Sequence, residues 1–493
     1  MSQPLHRPAL VTAALLVAAA CAGCGSTVQA RSSYGVEQSG SVGSTQAALG
    51  SQGTSAAPGT STAVSGGATA PQTGVVGPVG AGATTAPGGS VVSKVAGVAK
   101  GTVAIGYTTS KALSGLAGSL GLSGVDAGDT DAQVRAVVAD LNARGGLLGH
   151  KIVLKSFDAG ANANGQEVCT YFTQDQPVFA LVDAVNLAAP VLDDTVASCM
   201  SAKHIPLLTG APAVSELAYA RFPYLVTPDH SASERYMAGL VDQLVPARFF
   251  DGWDSTLGRP GVHPVKIGIN SFDTAGDQSR VKALRAALHA HGYDDVDVVK
   301  YSSDLTALPA ATSNAVLRFK AEGVTHVFSA SVLFYQDAQS QAYHPRYAVD
   351  DTANTVQLMA QNAPKAQLHG ALGAGYLPMA EDGTYSSTNP AARRCLSLMT
   401  HAGIDVSNRF AVTYMLNICD RFWTLERALS AGGTLTTAAF LAGLQRLPTG
   451  TDSAGTYAIT LSDARRDGAY RLQSFGYVDS CSCFRLTGRV TAF

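Results

Sequence analysis

The stretch from Asp129 to Asp158, DTDAQVRAVVADLNARGGLLGHKIVLKSFD, decides how the rest of the chain is read. Val134, Val137, Val138 and Leu141 recur at spacings of three, four and seven, which draws one apolar stripe along an amphipathic helix. Asp129 and Asp131 stand near its positive end. Gly145 can take the left-handed backbone that closes a last helical turn, and Gly146 and Gly149 let the chain reverse before Ile152-Val153-Leu154 opens a strand. Upstream, Val103-Ala104-Ile105-Gly106-Tyr107 reads as another buried strand. The unit is strand, helix, strand, and apolar runs without alternating polarity indicate a sheet covered by helices on both faces.

This unit resembles the type I periplasmic binding proteins, the leucine/isoleucine/valine-binding family of ABC-importer receptors. In that family an AIGY-like strand leads to a helix ending in N-x-x-G-G, then G-x-K-I/L before a strand closed by an acid. The matching positions here are Asn142, Gly145, Gly146, Gly149, Lys151, Ile152 and Asp158, and weaker echoes run from about Thr102 to Phe493. The resemblance implies an α/β fold of two doubly wound parallel-sheet lobes joined by a three-crossing hinge. It also implies an extracytoplasmic monomer without cofactor or enzymatic activity. Such a protein captures a small polar organic solute, an amino acid of branched-chain type or an amide, and delivers it to ABC permease and ATPase subunits.

Nearly five hundred residues suffice for two domains with large cores, and a formal charge of −2 supplies no basic field for nucleic acid. Residues 1–24 combine His6 and Arg7, an apolar run from Ala9 to Ala20 and small residues before a cysteine. That pattern is an export signal, too short to span a bilayer permanently. Cys24 after Ala22-Gly23 resembles the end of a bacterial lipobox and is the favoured lipidation site, with Cys21 as the alternative. From Gly25 to Val98 the chain is Gly, Ser, Thr, Ala and Pro with almost no charge, a composition that cannot offset its conformational entropy by burial. It reads as a flexible tether whose r.m.s. reach is on the order of 50 Å.

Beyond the tether, helices and strands alternate at the rhythm of right-handed crossovers. The expected boundaries are 99–228 and 371–455 for the first lobe, and 229–370 and 456–493 for the second lobe and hinge. By resemblance the chain returns to the first lobe near Gly370, adds a long helix from about Phe410 to Ala431, and ends with strands near Tyr457–Leu461 and Arg471–Tyr477.

Six cysteines remain after the lipobox pair, an even number in an exported chain. The resembled family often carries a disulfide where Cys169 and Cys199 stand, which implies that pairing. Cys395, Cys419, Cys481 and Cys483 then allow three connectivities. Cys395 with Cys419 is preferred, and a C-x-C metal or redox site at Cys481–Cys483 is the sharper alternative.

In open α/β sheets the ligand lies beyond the carboxyl ends of the strands. That rule selects Tyr107, Asn186, Leu187, Gly210, Ala211, Phe272, Thr274, Phe334, Tyr335 and Asp351. Gly210 and Ala211 would present backbone N–H groups at a positive helix end. Phe272, Phe334 and Tyr335 would enclose the solute, and Asp350 or Asp351 sits where the family places an acid for an ammonium group. Asn186-Leu187-Ala188 replaces the serines that amino-acid binders of the family carry after the third strand, which weakens a carboxylate clamp. G-x-S-x-G, H-E-x-x-H and Walker patterns are absent, so an exported hydrolase is a weaker reading. A ligand-sensing lipoprotein of the same fold is the other alternative.

Overall fold

The computed structural model describes residues 95–119, 121–160, 164–184, 194–210, 214–302, 307–329, 331–351, 355–378, 388–462 and 464–493. The expected signal, Cys21, Cys24 and most of the tether lie outside these residues. Asn186, Leu187 and Ala211 lie outside them too.

The organising stretch folds as read. Asp129 caps the helix Thr130–Ala143 by accepting from the Ala132 N–H, and its apolar stripe of Val134, Val137, Val138 and Leu141 is buried. Gly145 and Gly146 both adopt positive φ, and Gly146 has no room for a side chain, since a Cβ there would meet the His150 carbonyl at 2.0 Å. The first sheet holds β1 (Val98–Ala99), β2 (Thr102–Thr109), β3 (Lys151–Asp158), β4 (Ala180–Asp183), β5 (Leu207–Leu208) and β6 (Leu225–Val226). β3 and β4 both pair with β2 in parallel, and β5 and β6 continue the sheet outward from β4.

The tether ends earlier than its composition suggests. Val95 and Val98 pack on the first lobe's core, β1 pairs with β2, and Gly97 lies flat against the Val178–Phe179 backbone with φ +72°. Glycine is required there by contact, so low complexity does not mean an absent structural role.

β7 (Trp253–Asp254) and β8 (Arg259–Pro260) form a small antiparallel pair. The second sheet contains β9 (Ile267–Phe272), β10 (Val296–Tyr301), β11 (His326–Ser329), β12 (Arg346–Asp351) and β13 (Leu372–Gly375), parallel and in the order β10-β9-β11-β12-β13. β14 (Arg471–Val478) and β15 (Cys483–Ala492) close it as an antiparallel hairpin. β13 corrects the expected return near Gly370. Leu372–Gly375 still pairs with β12, so the chain leaves this lobe only after Gly375. The strand expected at Tyr457–Leu461 reduces to isolated bridges from Ile459 to Thr451 and Ala469.

The two described crossings run side by side. Thr227 bridges Asp467, and the Thr227 N–H and carbonyl bond to Arg466 and Gly468. Asp467 accepts from the Ala232 N–H at 2.9 Å and from Arg235, serving the start of helix Ser233–Leu244, which has no side-chain cap of its own. One acid from the last crossing therefore caps the helix that follows the first.

Helix Arg409–Gly432 is buried on nearly every side, capped by Asn408 and ended by Gly433 at φ +82°. It packs on helix Thr437–Leu444, and Gly443 allows contact because a Cβ there would meet the Ala428 carbonyl at 1.7 Å. Sulfur atoms join Cys169 to Cys199, Cys395 to Cys419 and Cys481 to Cys483.

Candidate functional site

β6 and β13 both enter a crossing from their carboxyl ends, at Thr227 and Tyr376. Both sheets therefore turn their carboxyl edges toward the hinge, where a solute can be gripped from two sides. On the first lobe that edge is a closed polar lattice. The Thr108 and Thr209 hydroxyls donate to the two oxygens of Asp183 at 2.7 and 2.8 Å. Arg421, fully buried on helix Arg409–Gly432, donates to the Asp183 carbonyl and holds Asp229 through both oxygens, at 3.2 and 2.5 Å. Burial pushes the Asp229 carboxyl up, but Arg421 and neighbouring His230 outweigh it and bring it down to about 2. Asp229 opens the first crossing, so this ion pair ties the hinge to the lobe.

One residue before Arg421, Asp420 is equally buried. It accepts from the Ser453 hydroxyl and from the Ala454 and Gly455 amides at 2.5 to 2.8 Å. Burial dominates those bonds and raises its carboxyl to about 6.

The second lobe's edge holds a small, partly open cavity of about 30 Å³, lined among others by Asn270, Ser271, Arg280, Ser329 and Asp350. Arg280 pairs with Asp350. Ser329 donates to Asn270 Oδ1 at 2.9 Å, while the Asn270 amide nitrogen is buried without a hydrogen-bond partner. Asp351 is 1% exposed, and among the described residues no side chain donates to either of its carboxylate oxygens. Burial holds its carboxyl well above the usual range, the Asp350 charge adds to this, and the Val356 backbone opposes it.

The lobes also meet through the segment before helix Thr130–Ala143. Leu122 packs on the second lobe's core, and Ser123 exchanges hydrogen bonds with Asn362: its N–H and hydroxyl donate to Oδ1, and Nδ2 donates back to its carbonyl, at 2.7 to 3.1 Å.

A family model described as periplasmic binding protein matches residues 102–476. The chain belongs to that family. The resemblance read from Asp129–Asp158 is borne out, as is its α/β fold class. Comparison with curated protein sequences gives no significant match. Among solved structures, this periplasmic binding protein is similar to a fatty acid ABC transporter substrate-binding protein from Thermomonospora curvata, at 16% identity and TM-score 0.56, covering 80% of this chain and 94% of that one. It is similar to a leucine-binding protein from Thermotoga maritima, at 13% and 0.57, covering 79% and 99%. A solute-binding protein of an ABC transporter from Rhodopseudomonas palustris, in complex with p-hydroxybenzoic acid, matches at 12% and 0.58, covering 79% and 97%. Identities this low speak to the fold.

The structure distributes the expected site residues of this binding protein unevenly. Tyr107 is buried and donates to Asp131, and burial together with that acceptor pushes its phenol up to about 12. Phe272 is half-buried at the end of β9, edge-on to Tyr301, and Thr274 caps helix Ala275–Ala290. Phe334 and Tyr335 serve the core instead of enclosing a solute: both are fully buried, and Tyr335 stacks on Tyr347 at 4.0 Å. Gly210 is buried, and residues 211–213 after it lie outside the described residues. Ala211 precedes Pro212, which disfavours helical backbone, and the helix starts at Glu216 with Ser215 as cap. Asp350 is paired with Arg280 and Asp351 is buried, so neither stands as a free counter-ion.

Sequence reading missed Asp183, Asp229, Arg280 and Arg421. The one available signal was Asp420-Arg421 inside the otherwise uncharged run Met415–Leu425, since a charge on a helix buried all round must have a partner.

Proposed function

We propose that this protein is the extracytoplasmic solute receptor of an ABC importer, tethered by a lipid on Cys24, and that its solute carries a carboxylate or is neutral. The observation that carries the solute class is the setting of the acids: Asp351 is buried, which disfavours its charged form, and Asp350 is matched by Arg280, so neither offers a ready counter-ion to an ammonium group. Arg280, Ser271 and the Asn270 amide supply donors on the second lobe, and Phe272 and Thr274 border them. A solute contacting both lobes favours the closed state by the contacts it makes only there. The Ser123–Asn362 bonds add to that state, so Asn362→Ala should weaken solute binding by less than tenfold, the worth of about 1 kcal/mol.

The test is a calorimetric and thermal-shift screen over amino acids, amides, short and long carboxylic acids and hydroxybenzoates. Saturable binding of an acid or neutral solute is the expected result. Preference for a cationic solute would overturn the solute class, and turnover without a partner would favour an exported hydrolase. Cys24→Ser should release the protein from membranes while Cys21→Ser leaves it bound.

A further inference from the structure

Three disulfides divide into two kinds. Cys395 and Cys419 are fully buried and close a separation of 24 residues, and Cys169–Cys199 closes 30. Such bridges restrict the unfolded chain, and the restriction grows with the length enclosed. Cys481–Cys483 encloses a single residue at the tip of the β14–β15 hairpin, and Cys481 is exposed. This bridge constrains almost no chain, so holding the fold does not account for it.

Nor does the turn depend on it. The Cys481 N–H bonds to the Val478 carbonyl and the Ser482 N–H to the Asp479 carbonyl, at 3.3 and 3.1 Å. β14 and β15 pair up to Val478–Cys483, with Phe484 buried beneath the tip. The two Cα atoms stand 5.2 Å apart on this framework. When the bond opens, the backbone keeps both sulfurs within reach of each other, ready to close again.

We propose that Cys481–Cys483 is a thiol–disulfide exchange site that accepts electrons from an external dithiol. A thiolate of the dithiol attacks the exposed Cys481 Sγ, the Cys481–Cys483 bond breaks, and Cys483 leaves as thiolate. The second thiol of the incoming molecule, deprotonated, attacks its own sulfur in the mixed disulfide and releases Cys481. Two electrons and two protons pass to the pair, and the dithiol departs as a disulfide. The site lies outside the solute-binding residues and does not rest on that reading.

The experiment titrates the folded, fully oxidised protein with dithiothreitol, traps thiols by alkylation and locates them by mass spectrometry. Cys481 and Cys483 should be alkylated at a reductant concentration at least tenfold below that needed for Cys169, Cys199, Cys395 and Cys419, with the melting temperature unchanged. Reduction together with or after Cys395–Cys419, or unfolding as the tip opens, would overturn the proposal. In a second arm, Cys483→Ser leaves one thiol at Cys481, which should form a mixed disulfide with oxidised glutathione; failure to do so in the folded variant also overturns it.

Discussion

Asp229 at the hinge of the first lobe and Asp351 at the edge of the second are both withdrawn from water, yet their carboxyls move in opposite directions. Asp229 falls to about 2 because the Arg421 guanidinium grips both of its oxygens. Asp351 rises because burial meets no cation and the Asp350 charge lies beside it. Asp420 stands between them: three hydrogen bonds offset part of its burial, and it settles at about 6. Burial alone therefore says nothing about charge; the partner decides. The first lobe uses a buried ion pair to join lobe and hinge, while the second buries an acid, with its charged form disfavoured, where a counter-ion was expected.

The largest way to break this contrast is to remove the cation. Arg421→Met strands Asp229 and should destabilise the protein by about 3–5 kcal/mol in chemical unfolding, the usual cost of an orphaned buried charge. Adding Asp229→Asn should restore part of that loss. A loss below about 1 kcal/mol would mean the pair is not the tie between lobe and hinge.

A smaller effect is expected in the pH dependence. Asp229 is depressed, so its contribution is present above about pH 4 and is lost as pH falls through about 2. Asp420 is raised, so between about pH 4 and 6 the native state binds more protons than the unfolded chain, and stability falls as pH rises. Asp420→Asn should flatten the melting-temperature profile across that window whatever its effect on absolute stability. An unchanged slope would assign the window to another group.

The smallest effect on solute binding should come from Asp351→Asn. Burial holds the Asp351 carboxyl toward its protonated form, so an amide there removes the cost of protonating it on folding: the melting temperature should rise at pH 7 and hold at pH 3, while solute affinity stays unchanged. A large loss of affinity for a cationic solute would show that Asp351 ionises on binding.

Period and punctuation alone carried much of this protein. The apolar stripe of Thr130–Ala143, its glycine stop and the rhythm of strands and helices specify two parallel sheets, because helix and strand periods and left-handed glycines act over a few residues. The family was legible in the same stretch. The chemistry of the hinge was not. Asp229 and Arg421 are 192 residues apart and meet only through tertiary packing, while among the described residues no cation pairs with Asp351. Phe334 and Tyr335 likewise went to the core because the residues after β11 form a helix facing β12, a placement no local pattern contains. Local backbone preference is written along the chain, whereas the charge state of a buried acid depends on which distant residue folding sets against it.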